Sequence, residues 1–413
     1  MTYRRAAIPA LVGGLLLTAL LWWAGASTQA LRLPGSSGVF GGQGAVDLDR
    51  WLAPWSYDPP PGVQLGTEPG PGGGAGGGAG ATGARYLSLW STAMQIRYGA
   101  LAAFFVAGAL FLLRRLPPVR GRTTAALLTL WAWAMVAGTL AVTVSAPWLI
   151  AATGHGSYRF LPQLAGVIAS GRQLPVLLGL LTAAVTVAVA RITAKGAGPL
   201  PREAVPARAA RLAATAGTGV VALSLVVLSY QPVTAALQSA FPGGGLLSEP
   251  GDLLREWLVL GAWAGPAGAP AGDWLLYRCA DVVVLVVVWW ALRRLPALFT
   301  RATVPAMAVG AVCATVLGLL AGQLARMPLD GRVPGRGLLQ LAAGLGGGVP
   351  AALTCGLLAG AAAAATLRAA TGHPRGPGTP APAPLRPQDP LRPQDPPRPQ
   401  DPPRPQDPPP AAG

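Results

Sequence analysis

The sequence predicts an all-α, polytopic integral membrane protein with eight transmembrane helices, arranged as two tandem, parallel four-helix repeats. Three observations lead there: the composition, eight apolar runs of spanning length, and a pentapeptide, LRRLP, that occurs at both 113–117 and 292–296. The 413 residues are 52% hydrophobic and only 11% charged, with a mean hydropathy of +0.46. Soluble domains carry roughly a quarter charged residues, so the composition belongs to the membrane class.

The apolar runs fall at about 7–25, 98–113, 124–146, 175–190, 212–229, 274–292, 304–325 and 350–367. Each approaches the ~17–25 residues that cross ~30 Å of hydrocarbon as a helix. The net charge of +16 could suggest nucleic acid, but its distribution gives another cause. With the N-terminus placed in the cytoplasm, the inner segments outside the tail repeats hold 16 Lys or Arg against one acid, Glu203, and the outer segments hold 11 Arg against 10 acids. That is the positive-inside bias of a plasma-membrane protein with both termini cytoplasmic, so no nucleic-acid partner is expected. Arg is used almost to the exclusion of Lys (Lys195 is the single lysine) beside a heavy Ala, Gly and Pro load, which suggests a GC-rich bacterial genome.

Laying Leu113 on Leu292 gives an offset of 179 residues, and neighbouring segments match in the same order. RFLPQLAGV at 159–167 faces RGLLQLAAG at 336–344, and DLDRWL at 47–52 faces DLLREWL at 252–258. A Gly-rich stretch at 66–84 without a counterpart accounts for the larger upstream offset and reads as a flexible insertion in an outer loop. The units are then repeat one over 1–196, a linker over 197–211, repeat two over 212–372 and a tail over 373–413. An even number of crossings keeps the repeats in one orientation, unlike the inverted type. The N-terminal run could pass as a signal peptide, but its counterpart at 212–229 is internal, so it is expected to stay as the first helix. In each LRRLP the double Arg should hold the turn in the cytoplasm and the Pro should stop the helix.

Between the runs, Arg159/Gln163 and Arg336/Gln340 form two R-x3-Q pairs, each on one helical face at i,i+4. They are candidate paired subsites for an anionic lipid headgroup, set against simple snorkelling of Arg to the interface. The DLxxR/W segments read as amphipathic stretches with Trp51, Trp55, Trp257 and Trp263 at headgroup level. GLGGGVP at 344–350 is too Gly-rich for continuous helix and reads as a turn before the last run. Arg278 and Asp281, at i,i+3 in the sixth run, read as a self-neutralising interfacial ion pair. Gly310, Gly356, Ala359 and Ala363 are positioned for close helix packing.

No His, Lys or Glu lies inside an apolar run, and Asp281 is the one Asp. Acid–base, metal and proton-coupled chemistry at membrane depth therefore lack candidates, and no catalytic residue, cofactor or metal site is expected. Cys279, Cys313 and Cys355 have no paired spacing. No nucleotide-binding or nucleophile-elbow motif occurs. The tail carries four [LP]-R-P-Q-D-P hexapeptides over 385–408. Such Pro density favours extended polyproline II, which suits either a ligand for a Pro-recognising partner or a plain spacer. The expectation for function is a non-enzymatic membrane scaffold or accessory subunit, holding partners through outer loops and tail. The alternative is a transporter or lipid-handling protein with a path or site between the repeats.

Overall fold

The structure, a computed structural model, describes residues 3–31, 42–59, 79–118, 121–153, 160–194, 205–239, 249–260, 271–300, 302–326 and 346–371. Among these, every regular element is helical, and eight helices are long and apolar enough to cross a membrane. They are α1 (Tyr3–Ala26), α2 (Ala79–Arg115), α3 (Thr123–Ala152), α4 (Gln173–Thr193), α5 (Ala207–Leu223), α6 (Ala271–Leu298), α7 (Val304–Arg326) and α8 (Val349–Thr371). Shorter helices span Gly42–Leu52, Phe160–Ser170, Gln231–Ser239 and Gly251–Leu258. Arg159, Arg336, Gln340, Trp263 and the tail hexapeptides lie outside the described residues.

Several boundaries run past the apolar runs. α2 reaches back to Ala79, because the residues before the run (Tyr86, Leu87, Leu89, Met94) contain no Pro and continue a helical pattern. α3 continues through Pro147 to Ala152. The two LRRLP copies behave differently. α2 ends at Arg115, where Leu116 precedes Pro117 and is pushed away from helical ψ. α6 instead runs through Pro296 to Leu298, since one missing N–H in a final turn removes little. The expectation that Pro296 stops its helix is therefore wrong by about half a turn.

The helices close into two four-membered rings with the same connectivity. α1 packs on α2, α2 on α3, α3 on α4 and α4 on α1; α5 to α8 repeat this order. The rings meet where α3 touches α7 and α8, and where Phe160–Ser170 packs on Gly251–Leu258. At the other end the two LRRLP turns bond to each other: Thr300 N–H donates to the Arg115 carbonyl at 3.1 Å, and the Arg122 guanidinium to the Ala297 carbonyl at 3.1 Å. We call this the LRRLP end and its opposite the far end.

Interior and exterior are reversed relative to a soluble bundle. The buried faces are rich in Ala, Gly, Ser and Thr, while Leu15, Trp23, Leu181, Val282, Val286 and Leu358 point outward. Small residues let backbones approach. A Cβ on Gly356 would lie 2.5 Å from Val312 Cα, and one on Gly360 2.4 Å from Ala308 Cα, so α7 and α8 can cross this closely only with glycine there. Ala359 and Ala363 are fully buried. The buried hydroxyls of Thr139, Thr186 and Thr315 donate to the carbonyl four residues back, at 3.0, 2.7 and 2.9 Å, which satisfies these three. At the LRRLP end Arg293 and Arg294 lie over the rings of Trp289 and Trp290, one turn earlier, at 5.3 and 5.1 Å.

Trp51 and Trp55 do not sit at an interface. They are 6% and 0% exposed, and Trp55 donates its indole N–H to the Gly171 carbonyl at 3.1 Å. The segment after Gly42–Leu52 folds inward under α1, where Gly25 lies against the Trp55 backbone, so these rings fill the core rather than anchor the chain.

Candidate functional site

At the far end of the second ring, six elements and one arginine of the first ring line a polar chamber of about 680 Å³. Its construction begins in α5. After Leu223 the helix widens into one π turn, Ser224–Leu228, a local form that often marks functional sites. The turn is held by side chains: Ser224 Oγ donates to the Leu258 carbonyl at 2.6 Å and Ser229 Oγ to the Ser224 carbonyl at 3.1 Å. Thr234 Oγ1 donates to the Leu228 carbonyl at 2.9 Å and starts the helix Gln231–Ser239, which brings Gln231 and Gln238 to the wall.

The opposite wall comes from α6, α7 and the turn before α8. That turn, Gly346–Gly348, is the one the glycine run predicts. Gly346 and Gly348 have φ of +89° and +78°, which side chains other than glycine rarely adopt. A Cβ on Gly348 would also meet the Leu260 carbonyl at 2.9 Å. The amide of Gln323 donates to the Gly347 carbonyl at 3.3 Å.

Charge is concentrated here. Asp281, 6% exposed, accepts from Arg278 at 2.9 Å and from Arg326 on α7. Arg278 and Asp281 are thus joined as their spacing suggests, yet they are not a closed pair. Arg326 makes the group a triad. Arg172, just before α4, pairs with Glu256 at 3.5 Å across the junction of the rings. Arg255 faces the chamber with no ion-pair partner among the described residues. Among the described residues that line the chamber, three arginines face two carboxylates. Several buried polar atoms there have no partner among the described residues: Gln323 Oε1, Arg326 Nε and Arg172 Nε. Unpaired buried groups of this kind cost about 1–3 kcal/mol each unless something fills them.

Such a chamber can hold a polar, anion-bearing group through charge-assisted hydrogen bonds. No group of three or more His, Cys, Asp or Glu able to hold a metal ion occurs among the described residues. The three cysteines are free.

Gln163, on Phe160–Ser170, lies away from this chamber and lines a separate cavity in the first ring. Arg326, Arg172 and Gln323 were not legible as site residues, because each sits at or beyond the edge of an apolar run, where a charge reads as a loop. Arg97 was missed for the same reason, one residue before the second run. It is 2% exposed, donates from Nε to Ser145 Oγ at 2.8 Å and from a terminal nitrogen to the Pro54 carbonyl, and lies over Trp55 at 5.8 Å. A continuous helical pattern through Ser88–Arg97 was the signal that could have placed it indoors.

Among the described residues the regular structure is all helical, and eight long apolar helices suggest a membrane-spanning protein. Comparison with models of protein families, with characterised proteins and with solved structures finds no match.

Proposed function

We propose that this chain is a non-enzymatic, multi-pass membrane protein that binds a polar, anion-bearing ligand at the far end of its second ring, for lipid handling or transport. The observation that carries this is the chamber itself. It combines a π turn, two left-handed glycines, an excess of arginine and partnerless buried donors, and none of these is needed to hold eight apolar helices together. Its volume lies within the ~300–1,000 Å³ usual for small-molecule sites. Ligand binding is therefore placed ahead of a partner-holding role for the tail.

The outward apolar faces and small-residue interior support membrane insertion. The positive-inside bias supports the plasma membrane of a bacterium, with both termini and the LRRLP end cytoplasmic and the chamber opening outward. Matching ring connectivity and the meeting of the LRRLP turns support two tandem, parallel repeats. On this reading the Pro-rich tail extends into the cytoplasm as a spacer or partner ligand.

The test is purification in mild detergent, followed by native mass spectrometry of retained small molecules and by flux assays in liposomes. An anionic lipid or solute should be retained by the wild-type protein and lost from Arg326→Gln and Arg255→Gln. Absence of any retained anion, together with absence of flux, would refute the proposal.

A further inference from the structure

A second cavity, of about 440 Å³, lies at the far end of the first ring between α2, α3 and the helix Phe160–Ser170. It shares no lining residue with the chamber of the second ring. Its walls are mostly apolar, with Leu149, Ile150 and Val167 prominent. Arg97 and Trp90, seven residues apart and so on one face of α2, both line it. Trp90 is 9% exposed and its indole N–H, buried, has no acceptor among the described residues. The Gln163 amide and the Thr153 and Ser170 hydroxyls also line the cavity, and among the described residues no carboxylate does.

Arg97 has a charge to be neutralised. Nε and one terminal nitrogen are bonded, to Ser145 and to the Pro54 carbonyl, but both acceptors are uncharged. The other terminal nitrogen carries no hydrogen bond, and no Asp or Glu pairs with Arg97, among the described residues. A buried charge is normally paired, because neutral dipoles recover only part of the lost hydration. A buried cation, an orphaned indole donor and apolar walls together describe a receptor for an amphiphile.

We infer that this cavity binds a single apolar chain bearing an anionic oxygen head. The head sits against Arg97, with Trp90 and Gln163 as further donors, and the chain lies along Leu149, Ile150 and Val167. The site is independent of the ligand proposed for the second ring. Carboxylate and phosphate heads share this chemistry.

The test uses the full-length protein in mild detergent and a diazirine-bearing fatty acid as photoprobe, with labelled peptides mapped by mass spectrometry. Saturable labelling should fall on 149–153 and 163–167. Oleate and oleoyl lysophosphatidate should displace it, and methyl oleate should be at least about tenfold weaker, the scale of one charge-assisted contact. The stronger of the two anionic competitors identifies the head, and either result supports the site. Arg97→Gln should weaken labelling by about tenfold or more, while Arg326→Gln should leave it unchanged, which separates this site from the chamber. If Arg97→Gln does not yield folded protein, Val167→Trp decides, since it fills the cavity without touching Arg97 and should abolish labelling. Labelling spread over outward faces, equal displacement by methyl oleate, or full labelling of Val167→Trp would overturn the inference.

Discussion

Arg97 on α2 and Ser145 on α3 share a 2.8 Å hydrogen bond between side chains that are 2% and 0% exposed. The bond joins two neighbours of the first ring at the level where the loop carrying Pro54 folds beneath them. Its loss leaves part of a buried guanidinium without an acceptor. Ser145→Ala should therefore destabilise the protein by about 1.5–3 kcal/mol, the range for hydrogen bonds to charged groups. Thermal unfolding in detergent is the measurement. Thr215→Ala, at an exposed position on α5, should leave the melting temperature nearly unchanged.

The triad at Asp281 makes a sharper prediction. Asp281→Asn removes the one carboxylate that both Arg278 and Arg326 contact. Breaking a buried pair from one side costs about 3–5 kcal/mol, and the 29% exposure of Arg326 argues for the lower end. Adding Arg326→Gln to Asp281→Asn should recover part of that loss, since one uncompensated charge is then gone. A double-mutant cycle read by thermal unfolding checks this, and simple additivity of the two changes would contradict the triad.

Close packing of α7 on α8 depends on two glycines. Gly360→Leu forces a side chain against the Ala308 backbone, which cannot yield as a flexible side chain would. The expected penalty is at least the 1–3 kcal/mol typical of overpacking, read in size-exclusion chromatography as loss of monodisperse protein. Gly219 offers the control: nothing lies within 4 Å of its added Cβ, so Gly219→Ala should stabilise α5 by up to about 1 kcal/mol.

How much of this was legible beforehand depends on what kind of signal each element leaves. Eight long helices were readable because apolar length is a local property, and the Gly346–Gly348 turn because glycine needs no partner to announce itself. The burial of Trp55 and Arg97 was not readable. Arg97 adjoins the end of an apolar run and Trp55 lies in a loop between runs, where composition describes an interface equally well, and only the return of the 53–59 segment under α1 brings them indoors. Arg326 could not be matched to Asp281 because their 45-residue separation is set by the α6–α7 crossing. Of the R-x3-Q pairs, Gln163 alone falls among the described residues, and it lines the first ring's cavity.

Orientation has its own test. With the three native cysteines replaced by alanine, Asp252→Cys reports on the far end and Arg208→Cys on the LRRLP end, both at exposed positions. In intact cells a membrane-impermeant thiol reagent should label Asp252→Cys and spare Arg208→Cys until the cells are lysed. The reverse pattern would place the LRRLP end outside and overturn the positive-inside assignment.

The junction of the two LRRLP turns predicts how the rings associate. The bonds from Thr300 to Arg115 and from Arg122 to Ala297 join segments that are distant in sequence. If each ring is a folding unit, a chain cut at residue 198 and expressed as two pieces should reassemble, with the pieces co-purifying in mild detergent. Arg122 is 6% exposed, so Arg122→Gln withdraws a buried charged donor from the Ala297 carbonyl and should weaken that reassembly. A bond of this kind is worth about 1.5–3 kcal/mol, which corresponds to roughly a tenfold to hundredfold loss of affinity between the pieces. Thr300→Ala keeps the backbone N–H that makes the other bond and should leave reassembly intact. Equal recovery of all three pairs would show that α3 against α7 and α8, not the turns, holds the rings together.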